Sequence, residues 1–322
     1  MSVIPCFARY GLLLFLGTLG LLTCKQATDA PVSLPLRLLP GSTTFLALAD
    51  WGVQGQFHQQ EVADQMDRYA AGLSPAFVVM AGDNFYLKGV NSTTDPLWQF
   101  SFERVYKGPH LNLPFYAALG NHDYQQSPQA QIDYTKLSGR WQLPARYYTQ
   151  VIGAGTTHAL RLVVLDTNPF VTAYRQNVSA YPDILQDTGR QLHWADSVLA
   201  AAREPWTIVV GHHPIYSVGA DHGDQPELVS QLQPLLAKYK VPLYLCGHSH
   251  TLQYLRPGGP TEYAVSGSGG APLGTLADST RATFARAIGG FAVISVNADS
   301  LRLNFVSNTG QVLFGTQRPR RQ

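Results

Sequence analysis

Cysteine is scarce in this 322-residue chain: there are three, and two of them, Cys6 and Cys24, lie within the first 30 residues. Only Cys246 falls in the expected folded region, which excludes an internal disulfide there. Charge is sparse as well, at 14% of residues with a formal net charge of +2, so the chain offers no basic stripe for nucleic acid. Long apolar runs are also missing. The one candidate, Gly11 to Leu22, is too short for a comfortable membrane span. With Arg9 before it and Lys25, Gln26, Thr28 and Asp29 after it, the run reads as an export signal over residues 1–30, cleaved between Thr23 and Ala30. The other reading is a lipoprotein signal, in which Leu21-Leu22-Thr23-Cys24 places a lipid on Cys24; only then is membrane attachment expected. The chain is expected to be exported: secreted, lysosomal or in the periplasm and cell envelope. No internal repeat and no linker rich in proline, serine or glycine divides the remainder, so one domain over residues 38–318 is expected, as a monomer. The basic end, Arg318 to Arg321, reads as a solvated tail.

What is present is a 45% hydrophobic chain carrying five short polar blocks, each following an apolar, strand-like stretch. They are Asp50-Trp51-Gly52, Gly82-Asp83-Asn84-Phe85-Tyr86, Gly120-Asn121-His122-Asp123, Gly211-His212-His213 and Gly247-His248-Ser249-His250. Side chains placed where buried strands give way to loops converge on one rim. The residue types fit two metal positions: a hard trivalent ion prefers anionic oxygen donors, whereas a divalent partner accepts imidazole and amide oxygen. Gly82 and Gly120 suit sharp turns beside the ions. His248 and His250 flank one residue, so in an extended segment both face the same side. His212 and His213 are adjacent, and from an extended chain only one faces the metals.

The blocks, with Tyr86 three residues after Asp83, resemble the metallophosphoesterase superfamily, and within it the purple acid phosphatases of the small, tartrate-resistant type. The resemblance extends through Ala200-Ala201-Ala202-Arg203-Glu204, Tyr244-Leu245-Cys246-Gly247-His248, Leu252-Gln253-Tyr254-Leu255 and Arg318-Pro319-Arg320-Arg321. It implies that Asp50, Tyr86 and His250 hold Fe(III), that Asn121, His212 and His248 hold a second, divalent metal (Fe, Zn or Mn), and that Asp83 bridges them, with the ions roughly 3.5 to 4 Å apart. His213 then becomes a rim residue. The resemblance also assigns His122 and His222 to contacts with substrate phosphate or to proton transfer, and it replaces an Asp between the last two histidines by Ser249. The implied reaction is hydrolysis of phosphomonoesters, small-molecule or protein-borne, by in-line attack of a metal-bound hydroxide, with an acidic optimum. Two rival readings are a phosphodiesterase or nucleotide pyrophosphatase on the same metal core, and a secreted binding protein without turnover.

The expected fold is α/β: a two-sheet β-sandwich flanked by helices, the calcineurin-like metallophosphoesterase fold, in a single domain. Alternating strand and helix patterns run from Thr43 to about Pro144, with helices starting near Phe57 and Pro96. A hairpin pairs Tyr147 to Ile152 with Ala159 to Leu165. Helices follow at Asp187 to Arg203 and Pro226 to Tyr239, and the chain ends in strands at Tyr263 to Val265, Gly290 to Val296, Leu301 to Ser307 and Val312 to Gly315. Mammalian-type relatives tie down the loop near positions 170–190 with a disulfide; here Asn168 to Gly189 has no cysteine and is expected to be more mobile. The Gly- and Ala-rich run Gly267 to Ala271 is expected to be flexible.

Overall fold

Strand runs that are apolar on every residue need cover on both faces, and two stacked sheets with outer helices provide it. A computed structural model describes residues 35–320; the expected export signal and Cys24 lie outside them. The first sheet runs in the order β14 (Val312–Pro319), β13 (Ser300–Ser307), β12 (Gly290–Val296), β1 (Thr43–Leu48), β2 (Phe77–Ala81), β3 (Phe115–Ala118) and β4 (Trp141–Gln142). The second runs β11 (Phe284–Arg286), β9 (Leu252–Leu255), β10 (Glu262–Ser266), β8 (Leu243–Cys246), β7 (Trp206–Val210), β6 (Leu160–Val164) and β5 (Tyr148–Ile152). Each sheet has a parallel heart, β1-β2-β3-β4 in one and β6-β7-β8-β10 in the other, with antiparallel strands outside. Two-residue periodicity sorts the second sheet's side chains. Leu162, Val164, Ile208, Val210, Leu243 and Leu245 join the central core, while Val163, Val209, Tyr244 and Cys246 pack outward. That outer layer is closed by Ala195 and Leu199 of α4 (Thr188–Ala201), Leu228 of α5 (Pro226–Gln231) and Leu236 of α6 (Gln233–Lys238).

The expected two-sheet α/β architecture is present, and so is the hairpin, with Tyr148 opposite Val164. Helix α1 (Gln59–Leu73) buries Val62, Met66 and Ala70, as its spacing requires. Other elements differ from expectation. The helix near Pro96 is a single wide turn, Trp98–Glu103, with i to i+5 bonding. Pro226 to Tyr239 is not one helix: Pro234 has no N–H to continue the first ladder, so the chain restarts at Gln233. β4, β9 and β11 are too short for their alternation to have declared them. The basic end is not a free tail either. Arg318 lies within β14 and is 5% exposed, its guanidinium donating to the carbonyls of Pro242 and Pro260. Among the described residues, no helix is long and apolar enough to cross a membrane.

Candidate metal centre

Every one of the five blocks leaves a parallel strand at its C-terminal end. Asp50 follows β1, Asp83 follows β2 and Asn121 follows β3, while His212 follows β7 and His248 follows β8. The two parallel hearts therefore deliver ligands from both sheets to one edge. Sharp exits are required, and the backbone takes them in the left-handed region even without glycine: φ is 58° at Asp50, 49° at Asp83 and 66° at His248. Asp and His tolerate that region better than most residues, and such strain gathers at functional sites. Gly82, at φ 94°, makes the turn before Asp83, and a Cβ there would stand 2.5 Å from Nδ1 of His212. Gly120 serves differently. Its φ is ordinary, but a Cβ would sit 2.2 Å from the backbone nitrogen of Asp83, so close approach rather than turning excludes a side chain. Gly82→Ala is accordingly expected to destabilise the chain by roughly 1–3 kcal/mol. Gly72→Ala in α1, where nothing lies within 4 Å, should stabilise it by about 0.5–1 kcal/mol. Urea midpoints of the two variants separate these outcomes; equal shifts would remove the close-approach argument.

The buried carboxylates divide their oxygens between backbone and site. Asp50 accepts the His248 N–H through Oδ2 at 2.8 Å, and Asp83 accepts the His122 N–H through Oδ1 at 2.8 Å. That leaves Oδ1 of Asp50 and Oδ2 of Asp83 facing inward. Both meet the hydroxyl of Tyr86, at 3.2 and 3.1 Å, and Nε2 of His250 lies 3.1 Å from the same hydroxyl. Nδ1 of His250 donates to the carbonyl of Pro272 at 2.7 Å, so in the neutral ring Nε2 presents a lone pair. One phenolic proton cannot satisfy three acceptors. The other flank repeats the pattern. Nδ1 of His212 donates to the Ala81 carbonyl at 2.9 Å, while Nε2 faces Oδ1 of Asn121 at 3.2 Å and Oδ2 of Asp83 at 3.4 Å. His248 completes this side, its ring centroid 5.1 Å from that of His212.

Lone pairs thus outnumber protons at two adjacent points that share Oδ2 of Asp83. A donor set of that kind fits two cations: mixed anionic oxygen, phenol and imidazole at one point, amide oxygen and two imidazoles at the other. The proton affinities agree. The Tyr86 phenol is raised well above its ordinary value by burial and then by the charges of Asp83 and Asp50. Burial pushes His212 and His250 down, but neighbouring carboxylates prevail, Asp83 at His212 and Asp50 at His250, and each ring is pushed up to about 9. Burial raises Asp83, yet His212 and His122 outweigh it and hold the carboxyl well below its usual range.

The structure gathers all seven expected ligands, though not by the expected local geometry. His248 is left-handed, so the segment to His250 is not extended, and the two rings reach different flanks through a bend. His213 is not a rim residue. It is fully buried, with its ring centroid 4.5 Å from that of His248 and 4.9 Å from that of His212. Both its nitrogens are engaged, Nδ1 by Thr167 and Nε2 by Tyr174, whereas Nε2 of His212 faces Asn121 and Asp83. The Ser249 hydroxyl bonds Thr251 and Gln253. His122 sits beside Tyr86 with its rings 4.5 Å apart; Nδ1 donates to the Leu87 carbonyl at 2.5 Å, and Nε2 is 3.9 Å from Asp83. His222 lies 3.9 Å from the His248 ring and lines a cavity of about 310 Å³ with Asp221, His250, Pro272 and Thr275.

Sequence reading gave no role to Asp123, whose carboxylate accepts the N–H groups of Gly120, Asn84 and Phe85 and so ties two ligand loops together. Burial and then Asp83 push its carboxyl up to about 7. Its place at the end of the third block was the available signal. Gly267 to Ala271 is packed rather than loose: a Cβ at Gly267 would meet the Ser249 carbonyl at 2.1 Å and one at Gly270 the Trp51 carbonyl at 2.3 Å. The cysteine-free segment after Asn168 is anchored by Glu227 on the Thr172 N–H and by the Arg146–Asp183 pair.

Known proteins are similar to this chain over most of its length. The family model for calcineurin-like phosphoesterases matches residues 43–252, a span that includes all seven candidate ligands. Tartrate-resistant acid phosphatase type 5 of Rattus norvegicus is 35% identical over 304 residues, 88% of this chain and 92% of that one. Purple acid phosphatase 7 of Arabidopsis thaliana is 36% identical over 236 residues, 71% of this chain and 70% of that one. Among solved structures, GAP50, the anchor in the inner membrane complex of Plasmodium, superposes with a TM-score of 0.76 at 24% identity, covering 87% of this chain and 90% of that one. The purple acid phosphatase PPD1 of yellow lupin superposes at 0.66 with 18% identity, covering 88% and 55%. At these identities the structural likenesses speak for the fold alone. On the family model and the identities over most of its length, the chain belongs to the calcineurin-like phosphoesterase family, among the purple and tartrate-resistant acid phosphatases.

Proposed function

We propose that the protein is an exported acid phosphatase that hydrolyses phosphomonoesters at a binuclear metal centre, as a single catalytic domain over residues 38–318. The observation that carries this reading is the convergence of Oδ1 of Asp50, Oδ2 of Asp83 and Nε2 of His250 on the Tyr86 hydroxyl, each within hydrogen-bond distance of it. Asp50, Tyr86 and His250 would hold Fe(III); Asn121, His212 and His248 would hold a divalent Fe, Zn or Mn; Asp83 would bridge. When bound, the two ions supply Lewis acidity that lowers the pKa of water and neutralises charge on the ester's phosphate.

The chain's own groups supply orientation and proton handling. The carbonyls of Ala81, Pro272 and Leu87 fix His212, His250 and His122 with the hydrogen on Nδ1, so that each Nε2 faces the centre. In its imidazolium form His122 would give the Nε2 proton to the departing alkoxide or use it to hold a phosphate oxygen. His222, free of hydrogen bonds among the described residues, stands over His248 at the cavity wall, where the ester's alcohol half would lie; burial lowers its proton affinity, and His250 adds to this. Purified holoprotein should release phosphate from para-nitrophenyl phosphate at roughly pH 4 to 7 and act more slowly on the bis-ester. Preference for the bis-ester would instead favour the phosphodiesterase reading. Tyr86→Phe should keep the fold and abolish a visible phenolate-to-iron band; a band of unchanged intensity would remove Tyr86 from the ligand set.

A further inference from the structure

Thr167 lies just beyond β6, and its hydroxyl is fully committed. Oγ1 is 3.2 Å from the His212 nitrogen, 3.1 Å from the His213 nitrogen and 2.9 Å from Nδ1 of His213. A hydroxyl has two lone pairs and one proton. The two backbone N–H groups take the lone pairs, so the proton goes to Nδ1. His213 is then the tautomer with its hydrogen on Nε2, 3.3 Å from the hydroxyl of Tyr174, and it donates there. A lone pair of Tyr174 is thus occupied while its own O–H proton remains available: no acceptor within the described residues takes it.

Tyr174 belongs to the short helix α3 (Thr172–Arg175), in the segment where a disulfide is impossible. Its ring packs 5.5 Å from that of His213 and 4.6 Å from that of Tyr181, and His213 in turn touches the rings of His212 and His248. The phenol therefore flanks the Asn121–His212–His248 side of the centre. The charge of Asp83 is felt at both tyrosines, second to burial in raising their hydroxyls.

We propose that Tyr174 is a substrate-binding residue: its hydroxyl donates to a phosphate oxygen on the His212–His248 flank, and Thr167 and His213 set its direction. This rests on the phosphatase reading above. No charge is added to the site; a directed donor is, and a hydrogen bond to a charged oxygen is stronger than one between neutral groups.

The test uses metal-loaded wild type, Tyr174→Phe and Tyr181→Phe. Inorganic phosphate affinity is measured by titration calorimetry, KM and kcat on para-nitrophenyl phosphate, and metal content on each sample. Tyr174→Phe keeps the ring stack and should weaken phosphate binding about tenfold, raise KM in parallel and retain its metals. Tyr181→Phe should behave as wild type. Unchanged phosphate affinity in Tyr174→Phe, an equal loss in Tyr181→Phe, or loss of metal from Tyr174→Phe would each overturn the proposal, the last by assigning the hydroxyl to the scaffold. If wild type fails to hydrolyse the aryl ester, the phosphatase reading falls, and phosphate affinity still decides the role of Tyr174.

Discussion

Replacing Asp83 by alanine is expected to lower kcat/KM by about a thousandfold or more, roughly 4 kcal/mol of transition-state stabilisation, and to leave the chain unable to hold two metal ions. Among the described residues, no other carboxylate touches both flanks. Oδ2 of Asp83 contacts the Tyr86 hydroxyl on one side and Nε2 of His212 on the other, while Oδ1 positions His122 by accepting its N–H. Its loss therefore uncouples the two ligand sets and releases the backbone of the proposed proton donor. Asp83→Asn, which keeps the volume and one oxygen, should be less severe in metal content than in activity. Steady-state kinetics and metal analysis on the same preparations check both. A fall of less than about tenfold in Asp83→Ala would contradict a bridging role.

Removing the metals should expose a pH-dependent weakness that the loaded protein lacks. In the metal-free chain, burial lowers His212 and His250, but Asp83 and Asp50 more than reverse it, and both imidazoles are pushed up to about 9. Groups whose folded pKa is raised stabilise fully below the unfolded value, about 6.5 for histidine, and lose that contribution as pH rises through the folded value. The melting temperature of the metal-free protein should therefore fall between about pH 6.5 and 9, with up to roughly 3 kcal/mol from each ring. Metal-loaded protein should be flat across the same window, because cations stand where the protons stood. For the same reason, loading near neutral pH should release about three protons, two from these imidazoles and one from Tyr86, measurable by calorimetry in buffers of different ionisation enthalpy. Metal-free protein whose stability rises with pH, or loading without proton release, would overturn this arrangement of charges.

The site was legible because its geometry is simple at the level of strands. Asp50, Asp83, Asn121, His212 and His248 each follow a strand buried on both faces, and such strands show as unbroken apolar runs ending in a polar block. What lay beyond the pattern depended on conformations the pattern does not carry. The parity argument for His248 and His250 assumed extended backbone, and the left-handed turn at His248 removes that premise while still delivering both rings. His213 was misplaced for a related reason: alternation sends it away from its neighbour only in a straight chain, whereas here the chain bends after β7. The glycines from 267 to 270 read as slack, but their smallness lets loop backbones touch. Tyr174 and Thr167 carried no motif. Their relation to His213 spans 39 and 46 residues and exists only once the second sheet has closed.

The central claim is that seven side chains from five strand ends hold two metal ions, one of them through the Tyr86 oxygen. Metal stoichiometry and a visible absorption spectrum, recorded on one sample before and after mild reduction, test it most directly. The account predicts two ions per chain and a visible band that changes on reduction and is absent in Tyr86→Phe. Fewer than one ion per chain, or a fully loaded protein whose spectrum is indifferent to Tyr86, would contradict it.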